Sequence, residues 1–104
     1  MPDSRVKKLD VAVKMGYNMS GMNLRVTPEA AEDIEGLTPV IHTRVMWVLE
    51  RLRNWPSVSG AKPLRGPLAG HYRIRTGDYR VQFRIERETV IIERIGHRSR
   101  FYEE

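Results

Sequence analysis

The chain has 104 residues, enough for one compact core and too few for two. Forty per cent of them are hydrophobic, and 18 Lys plus Arg against 13 Asp plus Glu leave a net charge of +5. A domain this basic attracts polyanions, nucleic acid first among them. The lack of cysteine excludes disulfides, thiolate chemistry and a Cys-based zinc site.

No stretch approaches the ~20 apolar residues of a membrane helix. Arg5, Lys7 and Lys8 are not followed by the apolar run of a secretion signal. The expected location is therefore the cytoplasm. Residues 1–21 carry Val6, Leu9 and Val13 at helical spacing, but Gly16, Asn18, Ser20 and Gly21 interrupt the pattern. They read as an N-terminal extension, either a short helix or a flexible segment. The domain proper is assigned to 22–104, with Met22 an alternative start.

Asn23 to Val26 reads as a short strand. Thr27 and Pro28 are a helix-start signal: a side-chain oxygen for free amides, then a residue whose missing N–H costs nothing. Ala30, Ala31 and Ile34 form a helical face that Gly36 ends. Thr38 and Pro39 repeat the signal. Ile41, Val45, Val48, Leu49 and Leu52 then mark an apolar stripe on a longer helix reaching about Asn54. Trp47 and Trp55 are expected to pack against this helix and its end. Pro56 forbids continuation, and 57–70 reads as a Gly- and Pro-rich loop.

Beyond the loop the period becomes two. Tyr72 and Ile74 alternate with His71, Arg73 and Arg75; Tyr79, Val81, Phe83 and Ile85 alternate with Arg80, Gln82 and Arg84. Gly77–Asp78 and 86–89 are turns. Val90 to Ile95 is the last strand, its apolar start suggesting burial on both faces. The reading is α+β, in the order β-α-α-β-β-β: an N-terminal strand and a helical hairpin packed on a curved antiparallel sheet.

Successive strand side chains point to opposite faces. With the apolar set against the helices, Arg73, Arg75, Arg80 and Arg84 share the other face. His97 and Arg98 follow the last strand at its rim, with Tyr102 just beyond. Guanidinium groups bind phosphate through paired hydrogen bonds, and Tyr and His stack on unpaired bases. The plainer reading is a solvated strand face whose charges only keep the sheet soluble.

Four segments carry a resemblance: Lys62-Pro63-Leu64-Arg65-Gly66, Gly70 to Arg75, Gly77 to Val81, and Ile95 to Tyr102. In this order and spacing the chain, from about Met22 onward, resembles the RelE/ParE toxin superfamily, and within it the RelE-like mRNA interferases of type II toxin–antitoxin systems. The resemblance implies a microbial RNase-like fold and cleavage of mRNA in the 30S ribosomal A site, inhibiting translation. It implies a RelB-like antitoxin that covers the toxin, so that a monomer alone becomes a hetero-oligomer with its partner. It carries catalytic roles onto Arg73, Arg75, Arg80, Arg98 and Tyr102, with His97, just before Arg98, added to the candidates on its own chemistry. Lys62, Arg65, His71 and Arg84 are expected to contact RNA or the ribosome.

The implied reaction is attack of a ribose 2′-hydroxyl on the adjacent phosphate. Arginines supply the electrostatic part, often the largest single term. Neither metal nor cofactor is expected. Proton transfer is harder to assign, because Arg stays protonated and unperturbed Tyr titrates near pH ~10. His97 is the candidate proton carrier, weighed against a rim histidine making a structural hydrogen bond. His71 is the weaker candidate and His42 a structural residue. Two rivals remain: a ParE-like toxin that poisons gyrase by binding, and a catalytically degenerate nucleic-acid-binding member of the fold.

Overall fold

The computed structural model describes residues 12–13 and 21–100; the rest of the N-terminal extension and Tyr102, with what is expected of them, lie outside the described residues. The chain runs β1 (Ala12–Val13), β2 (Asn23–Val26), α1 (Pro28–Glu35), α2 (Pro39–Leu52), β3 (Lys62–Pro63), β4 (His71–Thr76), β5 (Tyr79–Glu86) and β6 (Thr89–His97). Turns of 3-10 helix follow at Gly66–Leu68 and Arg98–Arg100. The α+β architecture is the one expected, with two-residue strands β1 and β3 added at the sheet edges.

The six strands form one sheet in the order β1-β2-β6-β5-β4-β3. β4, β5 and β6 make the antiparallel meander. β2 lies parallel to β6, with Asn23 opposite Thr89 and Val26 opposite Ile92, so the sheet is mixed. Parallel neighbours need a long crossover, and the helical hairpin with β4 and β5 provides it.

The two helix starts differ. Thr27 accepts a hydrogen bond from the Ala30 amide at 3.1 Å, a working N-cap worth ~1 kcal/mol. Thr38 has the same extended backbone but makes no side-chain cap bond. Gly36 ends α1 at φ −88, outside the left-handed region, with its N–H donating to the Glu32 and Asp33 carbonyls.

The core lies between the helices and one face of the sheet. α2 contributes Val45, Val48, Leu49 and Leu52, and the strands contribute Leu24, Ile74, Val81, Phe83, Val90, Ile92 and Ile95. Trp55 closes one end of it, edge-on to Tyr72 at 4.7 Å and to Phe83 at 5.5 Å. Trp47 departs from expectation: it is 66 % exposed. At 100° per residue it falls beside Val40, Arg44 and Arg51, opposite the buried stripe.

β6 is longer than β2, so beyond Ile92 its edge has no strand neighbour. α1 and its cap take that place. The Thr27 amide donates to the Ile92 carbonyl, and the Thr27 hydroxyl donates to the Glu93 carbonyl at 3.0 Å. Asp33 accepts the Ile95 amide at 2.8 Å and the Arg94 Nε at 3.0 Å. Edge amides and carbonyls left without partners would each cost free energy, so these contacts fix α1 against β6. The same stretch holds a β-bulge: Gln82 pairs with Arg94 and Phe83 with Ile92, leaving Glu93 as the extra residue.

Candidate nucleic-acid interface

The strand register sorts the basic side chains into rows on the face away from the helices. His71 lies opposite Arg84, Arg73 opposite Gln82, and Arg75 opposite Arg80. Lys62 of β3 lies opposite Arg73 and extends the second row toward the sheet edge. Rows two residues apart are separated by about 7 Å. Arg73, Arg75, Arg80, Arg84 and His71 are thus brought together.

This face is more structured than an alternation of charge implies. Arg75 and Lys62 are exposed and Arg80 is half-buried, but Arg73 is only 6 % exposed. Ile91, also on this side by parity, is buried at 3 %. All of Val90–Ile92 is buried, matching the expectation of burial on both faces.

Glu93 is the residue that the sequence reading did not single out. Its carboxylate sits among the cations: Oε1 lies 2.7 Å from His71 Nδ1 and accepts the Gln82 side-chain amide at 3.1 Å, while Oε2 accepts Arg84 Nη1 at 2.7 Å. Burial pushes its pKa up. Hydrogen bonds from Gln82, His71 and Arg84, with the charge of His71, outweigh that and hold it below its ordinary value. Arg84 is held above its ordinary value, chiefly by its hydrogen bond to Glu93 and despite partial desolvation; Glu86 adds a second bond at 3.2 Å. Arg84 is therefore an engaged cation of the patch, holding Glu93.

His97 is placed differently from expectation. His97 lies opposite Tyr79, at the parity of the residues packed toward the helices. Its ring meets the Tyr79 ring edge-on at 5.5 Å and lines a hollow with Asp33, Leu37 and Arg100. The sheet therefore separates His97 from the arginine rows. The physical reason is the bulge, which shifts β6 by one residue between Ile92 and Ile95. Arg98, in the 3-10 turn, is exposed near the β4–β5 turn, with its amide donating to the Asp78 carbonyl at 2.7 Å and its Nε 3.9 Å from the Asp78 carboxylate. It stands at the end of the sheet that carries Arg75 and Arg80. Arg65 is exposed in the loop just ahead of the 3-10 turn Gly66–Leu68.

A basic, single-sheet α+β domain with a row of arginines on one sheet face has the charge and shape to meet a polyanion. Its family follows from comparison with known proteins. Residues 24–102 match the ParE toxin family of type II toxin–antitoxin systems. Toxin RelG of Mycobacterium tuberculosis is 39 % identical over 82 residues, spanning 76 % of this chain and 93 % of the relative. Toxin RelE3 of Methanocaldococcus jannaschii is 28 % identical over 75 residues, 69 % of this chain and 85 % of the relative. Among solved structures, the toxin–antitoxin complex RelBE2 of Mycobacterium tuberculosis contains a chain that matches with a TM-score of 0.67 and 35 % identity, covering 74 % of this chain and 98 % of that one. The chain belongs to the RelE/ParE toxin superfamily of type II toxin–antitoxin systems.

Proposed function

We propose that this toxin is a ribosome-dependent endoribonuclease that cuts mRNA in the A site. The observation that carries the proposal is the set of Arg73, Arg75 and Arg80 on one sheet face, with Lys62 beside them on the next strand. Such a face grips the phosphates of a single strand and neutralises charge as it builds on the scissile phosphate. Arg80 is assigned to that phosphate, Arg73, Arg75 and Arg98 to the backbone around it, and Tyr102 to a base. Lys62 and Arg65 extend the contact toward ribosomal RNA.

The partner in the resting state is a RelB-like antitoxin. One structural neighbour, from Methanococcus jannaschii, is described as a RelB–RelE antitoxin–toxin complex. An amphipathic or acidic segment laid across the arginine rows suits both their charge and the exposed Arg75.

The test is translation on purified ribosomes with mapping of mRNA ends. The expected result is new ends at A-site codons, reduced ~10²–10³-fold by Arg80→Ala, the loss typical of one charge-stabilising group. The family match itself favours a second reading, a ParE-like toxin that binds gyrase. Blocked gyrase supercoiling with ribosome-bound mRNA left intact would establish that reading instead.

A further inference from the structure

We propose that His71 is the general base of this cleavage and that Glu93 is its positioning residue, an inference that rests on the nuclease reading above. Cleavage by a 2′-hydroxyl needs a proton acceptor at the sheet face, and guanidinium groups cannot be one. Among the described residues, His71 is the imidazole that the register places on that face.

The contact with Glu93 decides which nitrogen is available. His71 Nδ1 lies 2.7 Å from an ionised carboxylate oxygen. The ring therefore carries its proton on Nδ1 and donates it to Glu93, leaving the lone pair on Nε2. His97 is arranged the opposite way. Its Nδ1 accepts the Ser99 amide at 3.1 Å, so the neutral ring carries its proton on Nε2 and its lone pair is already engaged.

Glu93 is itself fixed from three sides. Gln82 and Arg84 hold its oxygens, and the Thr27 hydroxyl holds its backbone carbonyl at the bulge. The His71 side chain is 27 % exposed, so its ring reaches the open face. The charged groups around it are Arg73 on its own strand, Arg84 opposite on β5 with Glu86 behind it, Glu93 on β6, and Lys62 on β3 beside Arg73.

In the step, His71 Nε2 takes the 2′-hydroxyl proton and the 2′-oxygen bonds to the adjacent phosphorus. The bond from phosphorus to the 5′-oxygen breaks, and that oxygen leaves with a proton from water. The products are a 2′,3′-cyclic phosphate and a 5′-hydroxyl end, and His71 returns its proton to solvent.

The experiment is single-turnover cleavage of mRNA on programmed ribosomes with the full chain, followed between about pH 5 and 8. The wild-type rate is expected to rise through one deprotonation. His71→Gln lowers it ~10²–10⁴-fold and abolishes that rise. Glu93→Gln slows cleavage and relaxes the tautomer preference of the ring, because the anion that holds the Nδ1 proton is gone. ¹⁵N spectra of the wild-type imidazoles show the His71 proton on Nδ1. A wild-type rate and pH profile in His71→Gln, or a His71 proton found on Nε2, overturns the proposal. A wild-type protein that leaves ribosome-bound mRNA uncut fails earlier: it removes the nuclease reading, and this assignment with it.

Discussion

Glu93→Gln gives the sharpest test of the electrostatic reading of the sheet face. The substitution keeps the side-chain shape and one acceptor oxygen but removes the charge that three neighbours share. Hydrogen bonds to a charged group contribute about 1.5–3 kcal/mol each when buried. Arg84 is 35 % exposed, so water screens part of that interaction. The net loss at neutral pH is therefore about 1–3 kcal/mol, well inside the stability of a domain this size. It corresponds to a fall in Tm of roughly 4–8 °C per kcal/mol. The pH dependence fixes the cause. A carboxyl whose folded pKa is depressed contributes stability above its unfolded value of about 4.3, and that contribution is lost as pH falls through the lower folded value. Urea titrations of wild type and variant should differ at pH 7 and converge as pH falls below the ordinary carboxylate value, where the wild-type carboxyl is protonated too. Equal midpoints at pH 7, or a gap that persists undiminished at low pH, would refute the argument that Glu93 is held ionised by its neighbours.

Three further outcomes follow from particular contacts. Thr27→Val preserves shape but removes both the α1 cap and the donor to the Glu93 carbonyl; a loss of ~2 kcal/mol in urea unfolding is expected, and less than ~0.5 would show that α1 does not depend on either bond. Binding of a short single-stranded RNA, read by fluorescence anisotropy, should weaken with salt at a log–log slope near −0.7 per phosphate, or about −2 to −3 for the three to four cations of the face; a flat response would mean the rows do not meet phosphate. In the ribosome assay, His71→Gln should cost more than His97→Gln, because only the former ring shares a face with the arginines; the reverse order would return proton transfer to the rim.

Much of the fold was legible because local chemistry and burial agree. The 3/4 spacing of Val45, Val48, Leu49 and Leu52 placed α2, and the period of two in Tyr79, Val81, Phe83 and Ile85 placed β5 with its arginines on the far side. The parallel pairing of β2 with β6 was not legible, since register between distant segments leaves no local signal. Trp47 misled because residue type suggests packing, whereas its angular position on α2 sets it opposite the stripe. At the site the decisive error was phase. Strict alternation from Val90 puts Glu93 on the arginine face, but it also puts Ile95 there and Arg94 in the core. Ile92 and Ile95, three apart and both buried, require one extra residue between them. That mismatch was a readable sign of a bulge, and it moves His97 to the helix side while leaving Glu93 among the cations.

The bulge also bears on what separates members of this superfamily, because a shared fold does not fix a shared chemistry. A surface that binds a protein target needs only shape and charge, and the arginine rows alone would serve it. A carboxylate set among those rows lowers their net charge and weakens their grip on any polyanion, so it is a cost to a pure binding face. It becomes an advantage where an imidazole must be held in one tautomer. Glu93 is kept there by contacts from both sides of the sheet: Thr27 holds its carbonyl from the α1 side, and Gln82 and Arg84 hold its carboxylate from the open side. Converting Glu93 to a neutral residue should therefore strengthen RNA binding while slowing cleavage, a split that a binding-only toxin has no reason to show.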